Sequence, residues 1–112
     1  MWPFSRSSSG AGVASIDVRE AYERQRSRGA RLVDVRTPQE FRAGHPKGAR
    51  NILPQQIGSD STGLKRDAEV LVICASGHRS VRAARQLAGM GFTNVSNVLG
   101  GLHAWTGAGL PG

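Results

Sequence analysis

The feature that most constrains the fold is the run V-L-V-I at residues 70–73, which gives way at once to small and cationic residues. Four consecutive apolar residues are typical of a strand that is covered on both faces, as in a parallel sheet. Beyond the run, apolar residues recur at helical spacing from a start near residue 79 or 80 up to the stop signal Gly89. These residues are Val81, Ala84, Leu87 and Ala88. The segment therefore predicts a strand, a loop and a helix in that order.

Two capping patterns predict helices in the first half of the chain. Asp17 begins a helix that Gly29 ends. Thr37, with Glu40 three positions later, forms a capping box for a short helix that Gly44 ends. A last short helix is expected at residues 102–105.

Branched apolar residues predict further strands at residues 31–35, 49–53 and 95–99. Strands that alternate with helices are typical of an α/β sandwich around a mostly parallel sheet. Phe41, Phe92 and Trp105 are expected to point into its core.

The chain has 112 residues, the size of one ordinary domain. Residues 1–12 are rich in serine and glycine and are predicted to form a flexible tail, which leaves residues 13–112 as the domain. Residues 54–68 are polar and are expected to be mainly loop.

The chain carries a formal net charge of +7, and thirteen of its fifteen cationic residues are arginine. The arginines are spread from Arg6 to Arg85 without a dense run, and only six aromatic residues accompany them. This pattern disfavours a nucleic-acid partner and is compatible with a general attraction for small anions.

Three observations bear on location. No stretch approaches the roughly 18 apolar residues of a membrane span. The N-terminus lacks the pattern of a secretory signal. The chain has one cysteine, which cannot form an internal disulfide. We therefore expect no membrane association and a cytoplasmic protein.

That cysteine, Cys74, stands at the end of the strand predicted at residues 70–73. Ligands of parallel α/β sheets bind beyond the carboxyl ends of the strands. Ser76 and Gly77 suit a tight loop, whose amides together with a helix N-terminus favour negative charge. We expect an exposed thiol that faces these amides, with its pKa below the ordinary value for cysteine.

The predicted helix after the loop begins with cations. Arg79, Arg82 and Arg85 recur every three residues, although cations at a helix N-terminus oppose the helix dipole. Attraction of an anion to the mouth of the site would explain this choice, and a solvated arginine face is the alternative. His78 is either a further donor at the rim or an ordinary loop histidine facing solvent.

Four segments together carry a family resemblance. They are D-V-R-T-P-Q-E-F at 34–41, G-H-P-K-G-A-R-N-I at 44–52, C-A-S-G-H-R-S at 74–80, and G-G-L-H-A-W at 100–105 with G-L-P following at 109–111. In their order and spacing, the chain resembles a single-domain rhodanese, a thiosulfate-type sulfurtransferase. The resemblance implies a three-layer sandwich with a five-stranded central sheet flanked by helices, and no cofactor.

The length of the cysteine loop separates related families. Phosphatases that share this architecture, and arsenate reductases related to them, carry an arginine six positions after the cysteine. Here Arg79 lies five positions after Cys74, and the sixth position is Ser80. The shorter loop is similar to that of sulfurtransferases.

The resemblance implies that Cys74 is the nucleophile and carries a persulfide, which cyanide, a small thiol or a protein cysteine then accepts. The residues expected to bind the persulfide or the thiosulfate donor are Ala75, Ser76, Gly77, His78, Arg79 and Ser80. Asp34 and Arg36 are possible auxiliary residues, with a strand-end charge pair as their alternative.

Two other function classes stay open: a binding or regulatory module that uses the fold without turnover, and a phosphatase. Modules of the first kind typically lack the loop cysteine. His45 and His103 are scattered and the chain offers no second cysteine, so no metal site is predicted.

Overall fold

The computed structural model describes residues 13–57 and 62–112. In these ranges five short strands alternate with four helices, and a 3-10 turn occupies Pro54–Gln56. The bounds are β1 Val13–Ile16, α1 Val18–Arg28, β2 Arg31–Asp34, α2 Pro38–Ala43, β3 Arg50–Asn51, β4 Val70–Ile73, α3 His78–Gly89, β5 Val95–Val98 and α4 Gly101–Gly107.

The strands form one sheet in the order β1-β5-β4-β2-β3, and every neighbouring pair is parallel. The strand β4, which the apolar run predicted, lies at the centre. Its residue Val72 is aligned with Val33 of β2 and with Asn97 of β5. The predicted α/β fold with a five-stranded parallel sheet is confirmed.

Two separate clusters of buried side chains cover the faces of the sheet. Val70 and Val72 pack with the buried face of α3, whereas Leu71 and Ile73 pack with α1 and α4. Side chains of a strand alternate between faces, so a run that is apolar at every position can serve both clusters. Helix, sheet and helix make the three layers.

Side-chain caps define where the first two helices begin. Asp17 caps α1 by accepting a hydrogen bond from the amide of Glu20 at 2.8 Å. At α2 the Thr37 hydroxyl accepts from the amide of Glu40, whose carboxylate accepts in turn from the Thr37 amide. Both helices begin and end within a residue of their predicted limits.

Some boundaries differ from the sequence prediction. The strand β1 was not identified from the residues, because as an edge strand it is only half buried and lacks a continuous apolar run. The strand β3 has two residues where five were predicted, and α3 begins at His78, slightly earlier than expected. The last helix runs on to Gly107.

Two of the three predicted core aromatics are buried. Trp105 is fully buried and Phe92 nearly so. The prediction for Phe41 is wrong: α2 has no buried residue, and the Phe41 ring stacks on His45 with ring centroids 3.6 Å apart. The helix is too short and too peripheral to carry a side chain into the core.

The predicted flexible tail, residues 1–12, lies outside the described residues, as does part of the predicted loop. Within residues 13–57 and 62–112, no helix combines the length and apolar character that crossing a membrane needs.

Candidate active site

Cys74 is the first residue after β4 and continues the alternation of that strand. Because Val70 and Val72 face α3, the Cys74 side chain points to the same side and joins their cluster. The strand is central and its neighbours run parallel to it, so the sulfur lies at the carboxyl edge of the sheet, below the start of α3. This is the edge at which the sequence placed the site.

The thiol is less accessible than the sequence led us to expect. Only 1% of the Cys74 surface is exposed, so the expectation of an exposed SH group is wrong. Its orientation is the expected one, since the amide of Gly77 donates a hydrogen bond to Sγ at 3.0 Å. A reactant can therefore reach the sulfur only if the groups around it move.

The turn of the loop depends on Gly77. Its φ of 104° is a conformation that residues with a side chain rarely adopt. A Cβ there would also lie 3.4 Å from the main-chain nitrogen of Gly100. Glycine at this position lets the loop curl until its amide reaches the sulfur.

The first turn of α4 is hydrogen-bonded to the cysteine loop. The amide of Leu102 donates to the carbonyl of Cys74 at 2.7 Å, and the amide of His103 donates to the carbonyl of Ala75 at 3.1 Å. This approach is possible because Gly101 has no side chain: a Cβ would collide with the carbonyl oxygen of Cys74. Glycine at position 101 thereby allows α4 to hydrogen-bond to the cysteine loop.

The surroundings of the sulfur favour its anionic form. Burial by itself would raise the pKa of the Cys74 thiol, but hydrogen bonds outweigh it. They come from the Ser80 hydroxyl, when its hydrogen turns to the sulfur, and from the main-chain amides of Ser80, Gly77 and Ser76. The pKa of Cys74 is therefore lowered, as expected for a thiol within a ring of amides.

A chain of two hydrogen bonds leads from the sulfur into the sheet. The Cys74 thiol donates to the Ser80 hydroxyl at 3.3 Å, and that hydroxyl donates to Oδ1 of Asn97 at 2.5 Å. All three side chains are buried. Asn97 was missed from the sequence; the available signal was an amide side chain near the carboxyl end of a buried strand.

Arg79 is held by a carboxylate. Its Nη1 and Nη2 donate to Oε1 and Oε2 of Glu40 at 2.9 and 3.0 Å. The hydrogen bonds from Arg79, assisted by those from Thr37, lower the pKa of Glu40 to about 2. The pKa of Arg79 is raised, chiefly by Glu40, and the nearby charge of Cys74 contributes in the same direction. The sequence identified Glu40 only as a capping residue.

Asp34 and Arg36 form a buried ion pair. Nη2 of Arg36 donates to Oδ2 of Asp34 at 2.7 Å and to the carbonyl of Gly44 at 2.7 Å. Asp34 is fully buried and Arg36 is 4% exposed. These contacts favour the charge-pair interpretation of both residues over donor binding.

His78 lies at the exposed start of α3, with its Nδ1 3.2 Å from the Ser76 hydroxyl. It borders a groove of about 280 Å³ beside the loop. The lining residues are Pro54, His78, Arg79, Arg82, Ala83 and Gln86. The groove is thus cationic along the side formed by α3.

Among the residues that the structure describes, no three histidine, cysteine or carboxylate side chains come together as metal ligands. His45 stacks on Phe41, and its Nδ1 lies 2.7 Å from the Phe41 carbonyl oxygen.

Residues 10–108 match the family model described as the Rhodanese-like domain. The chain belongs to the rhodanese family. Among rhodanese relatives, the thiosulfate sulfurtransferase GlpE of Pseudomonas putida is 39% identical over 90 residues, which cover 80% of this chain and 82% of the relative. Thiosulfate sulfurtransferase 16, chloroplastic, of Arabidopsis thaliana is 37% identical over 95 residues, covering 74% and 79% of the two chains.

A solved structure shows the same rhodanese fold. The crystal structure of a rhodanese-related protein from Thermoplasma volcanium matches with a TM-score of 0.76 and 33% identity, covering 88% of this chain and 95% of that one.

Proposed function

We propose that this rhodanese is a sulfurtransferase that moves sulfane sulfur from thiosulfate, or a similar anionic donor, to a thiophilic acceptor through a persulfide on Cys74. The observation that carries the proposal is the placement of the sulfur, which accepts a hydrogen bond from the Gly77 amide at the carboxyl edge of the sheet. The names of the relatives support the same activity.

In the first step, the Cys74 thiolate attacks the outer sulfur of thiosulfate. A bond forms between the two sulfur atoms, and the bond between the outer sulfur and the sulfonate sulfur breaks. Its electron pair leaves with sulfite. The enzyme then carries a persulfide anion, and the loop amides that favour the thiolate favour this anion too.

In the second step, the acceptor attacks the terminal sulfur of the persulfide. Cyanide leaves as thiocyanate, and a thiolate leaves as a new persulfide, while Cys74 returns to the thiolate. The two half-reactions share one enzyme form, so ping-pong kinetics are expected. A protein cysteine is a further candidate acceptor.

Entry of the donor explains the position of Arg79. Its side chain is partly exposed and lies close enough to Cys74 to be affected by the charge there. We infer that the sulfonate of thiosulfate displaces the Glu40 carboxylate from this guanidinium. The bidentate geometry that Arg79 presents to a carboxylate also suits a sulfonate.

A cytoplasmic location is part of the same proposal. A single thiol that cycles through a persulfide has no internal partner for a disulfide and works best where thiols stay reduced. Neither nucleic acid nor a membrane is needed in this proposal.

Intact-mass measurement tests the proposal directly. The protein is incubated with thiosulfate, desalted and weighed, and then treated with cyanide. We expect the mass to rise by one sulfur atom and to return to its starting value as thiocyanate appears. Cys74→Ala must show no adduct.

The alternatives give different results in the same series. A protein that takes up no sulfur from thiosulfate or from other sulfane donors would be a binding module. Hydrolysis of an aryl phosphate that depends on Cys74, without a sulfur adduct, would identify a phosphatase.

A further inference from the structure

The Ser80 hydroxyl lies between two acceptors but has one hydrogen. A hydroxyl donates once and accepts through two lone pairs. In the structure it accepts from the Cys74 thiol and donates to Oδ1 of Asn97. This arrangement satisfies all three groups only while the sulfur carries its own hydrogen.

Ionisation of Cys74 changes the requirement. A thiolate has no hydrogen to donate and is stabilised by donors, and so is a persulfide anion. Ser80 can donate a hydrogen bond to the sulfur only if its hydrogen turns away from Asn97. The carbonyl oxygen of Asn97, in a side chain that is 2% exposed, then loses its donor.

We propose that Asn97 is a positioning residue that holds the hydrogen of Ser80 away from Cys74 and thereby sets how strongly the site holds an anionic sulfur. This inference rests on the proposed role of Cys74 as the sulfur carrier. Asn97 touches no reactant and acts through Ser80. Asn97 thereby limits how strongly the loop stabilises the persulfide anion. This anion must form readily and must also give up its terminal sulfur to the acceptor.

The elements around the cysteine loop carry other charged or titratable groups, none of which is altered by a change at Asn97. They are the Asp34–Arg36 pair at the end of β2, Glu40 of α2, His78 and Arg79 at the start of α3, and His103 of α4.

The test is a pH titration of the single thiol by its ultraviolet thiolate absorbance, with Cys74→Ala as the blank. Leucine at position 97 has a similar shape but cannot accept a hydrogen bond. Asn97→Leu should raise the ratio of thiolate to thiol at neutral pH by about threefold, the value of one modest hydrogen bond. Asn97→Asp should lower that ratio by about tenfold or more, because its carboxylate accepts more strongly and repels the thiolate.

The effect of Asn97→Leu should also be measured in a protein that carries Ser80→Ala. Without the hydroxyl there is no hydrogen to release, so the gain from Asn97→Leu should vanish in the double variant. Ser96→Ala, a buried change in the same strand, is the matched control and should leave the ratio unchanged.

A ratio that stays constant or falls in Asn97→Leu would overturn the proposal, and so would a gain that persists without Ser80. If the leucine variant does not fold, Asn97→Ala is measured instead, and the ratio of thiolate to thiol is again expected to rise. The titration needs no sulfur donor, so its result is independent of whether thiosulfate proves to be the substrate.

Discussion

Arg79 and Glu40 are joined by two hydrogen bonds, 2.9 and 3.0 Å long, that connect the start of α3 to α2. Both side chains are more than a third exposed, so the pair lies at the surface beside a sulfur that is itself buried. In the proposed reaction, Glu40 therefore competes with the donor for the same guanidinium.

Glu40→Gln should strengthen donor binding. The substitution removes the competing charge, while glutamine still suits the third position of a capping box at Thr37. An exposed ion pair contributes up to about 1 kcal/mol, so KM for thiosulfate should fall by roughly threefold with kcat little changed. Steady-state kinetics measure this effect. Glu23→Gln, which removes an exposed pair on α1, is the control, and a KM that does not fall would refute the competition.

The same pair should make a small acid-sensitive contribution to stability. The pKa of Glu40 is lowered to about 2 in the folded protein, against an ordinary value of 4.5. A lowered carboxyl pKa means that the contribution is complete above about 4.5 and is lost as the pH falls towards 2. Because both side chains are exposed, we expect less than about 1 kcal/mol. Urea unfolding of the wild type and Glu40→Gln should converge over this pH range; a constant difference would contradict the assignment.

The parts of the site that the sequence predicts depend on local pattern. The apolar run 70–73 and the loop glycine Gly77 each impose a backbone conformation on their own neighbourhood. A strand followed by a glycine loop and a helix has few ways to fold, and its position in a parallel sheet follows from strand and helix alternation.

The parts that the sequence did not predict depend on side chains far apart in the chain. Glu40 and Arg79 are separated by 39 positions, and Ser80 and Asn97 by 17. Each residue has an adequate local explanation, Glu40 as a cap and Asn97 as a strand residue. The burial of Cys74 likewise follows from three-dimensional packing, because its side chain joins a cluster built from residues of β2, α3 and β5.

Arg79→Ala should weaken capture of the donor. A hydrogen bond to a charged group contributes about 1.5 to 3 kcal/mol, so the rate at low thiosulfate should drop by about tenfold or more. Saturating thiosulfate should still produce the Cys74 persulfide, because the loop amides remain. Arg85→Ala, an exposed change on the same helix, is the control. Unchanged rates at low thiosulfate in Arg79→Ala would remove this role.

Arg36→Met should destabilise the protein through Asp34. The change leaves a fully buried carboxylate without its cation, which costs about 3–5 kcal/mol in the free energy of unfolding. Asp34→Asn in the same chain removes the uncompensated charge and should recover part of this loss. Urea unfolding measures both. Arg26→Met breaks an exposed pair and should cost under about 1 kcal/mol; a similar small loss in Arg36→Met would argue against a structural pair.

Gly101→Ala should disturb the contact between α4 and the cysteine loop. Its new Cβ would collide with the Cys74 carbonyl and lie 2.6 Å from the carbonyl oxygen of Ala75. Either α4 or the loop must move, and overpacking of this kind costs about 1–3 kcal/mol. We expect a lower yield of persulfide by intact mass together with a lower melting temperature.

The matched control for that change lies at the other end of the same helix. A Cβ on Gly107 would meet nothing within 4 Å. Since alanine favours helix over glycine by up to about 1 kcal/mol, Gly107→Ala should keep both the persulfide yield and the stability. Equal behaviour of the two variants would show that the contact between α4 and the cysteine loop does not hold the site in shape.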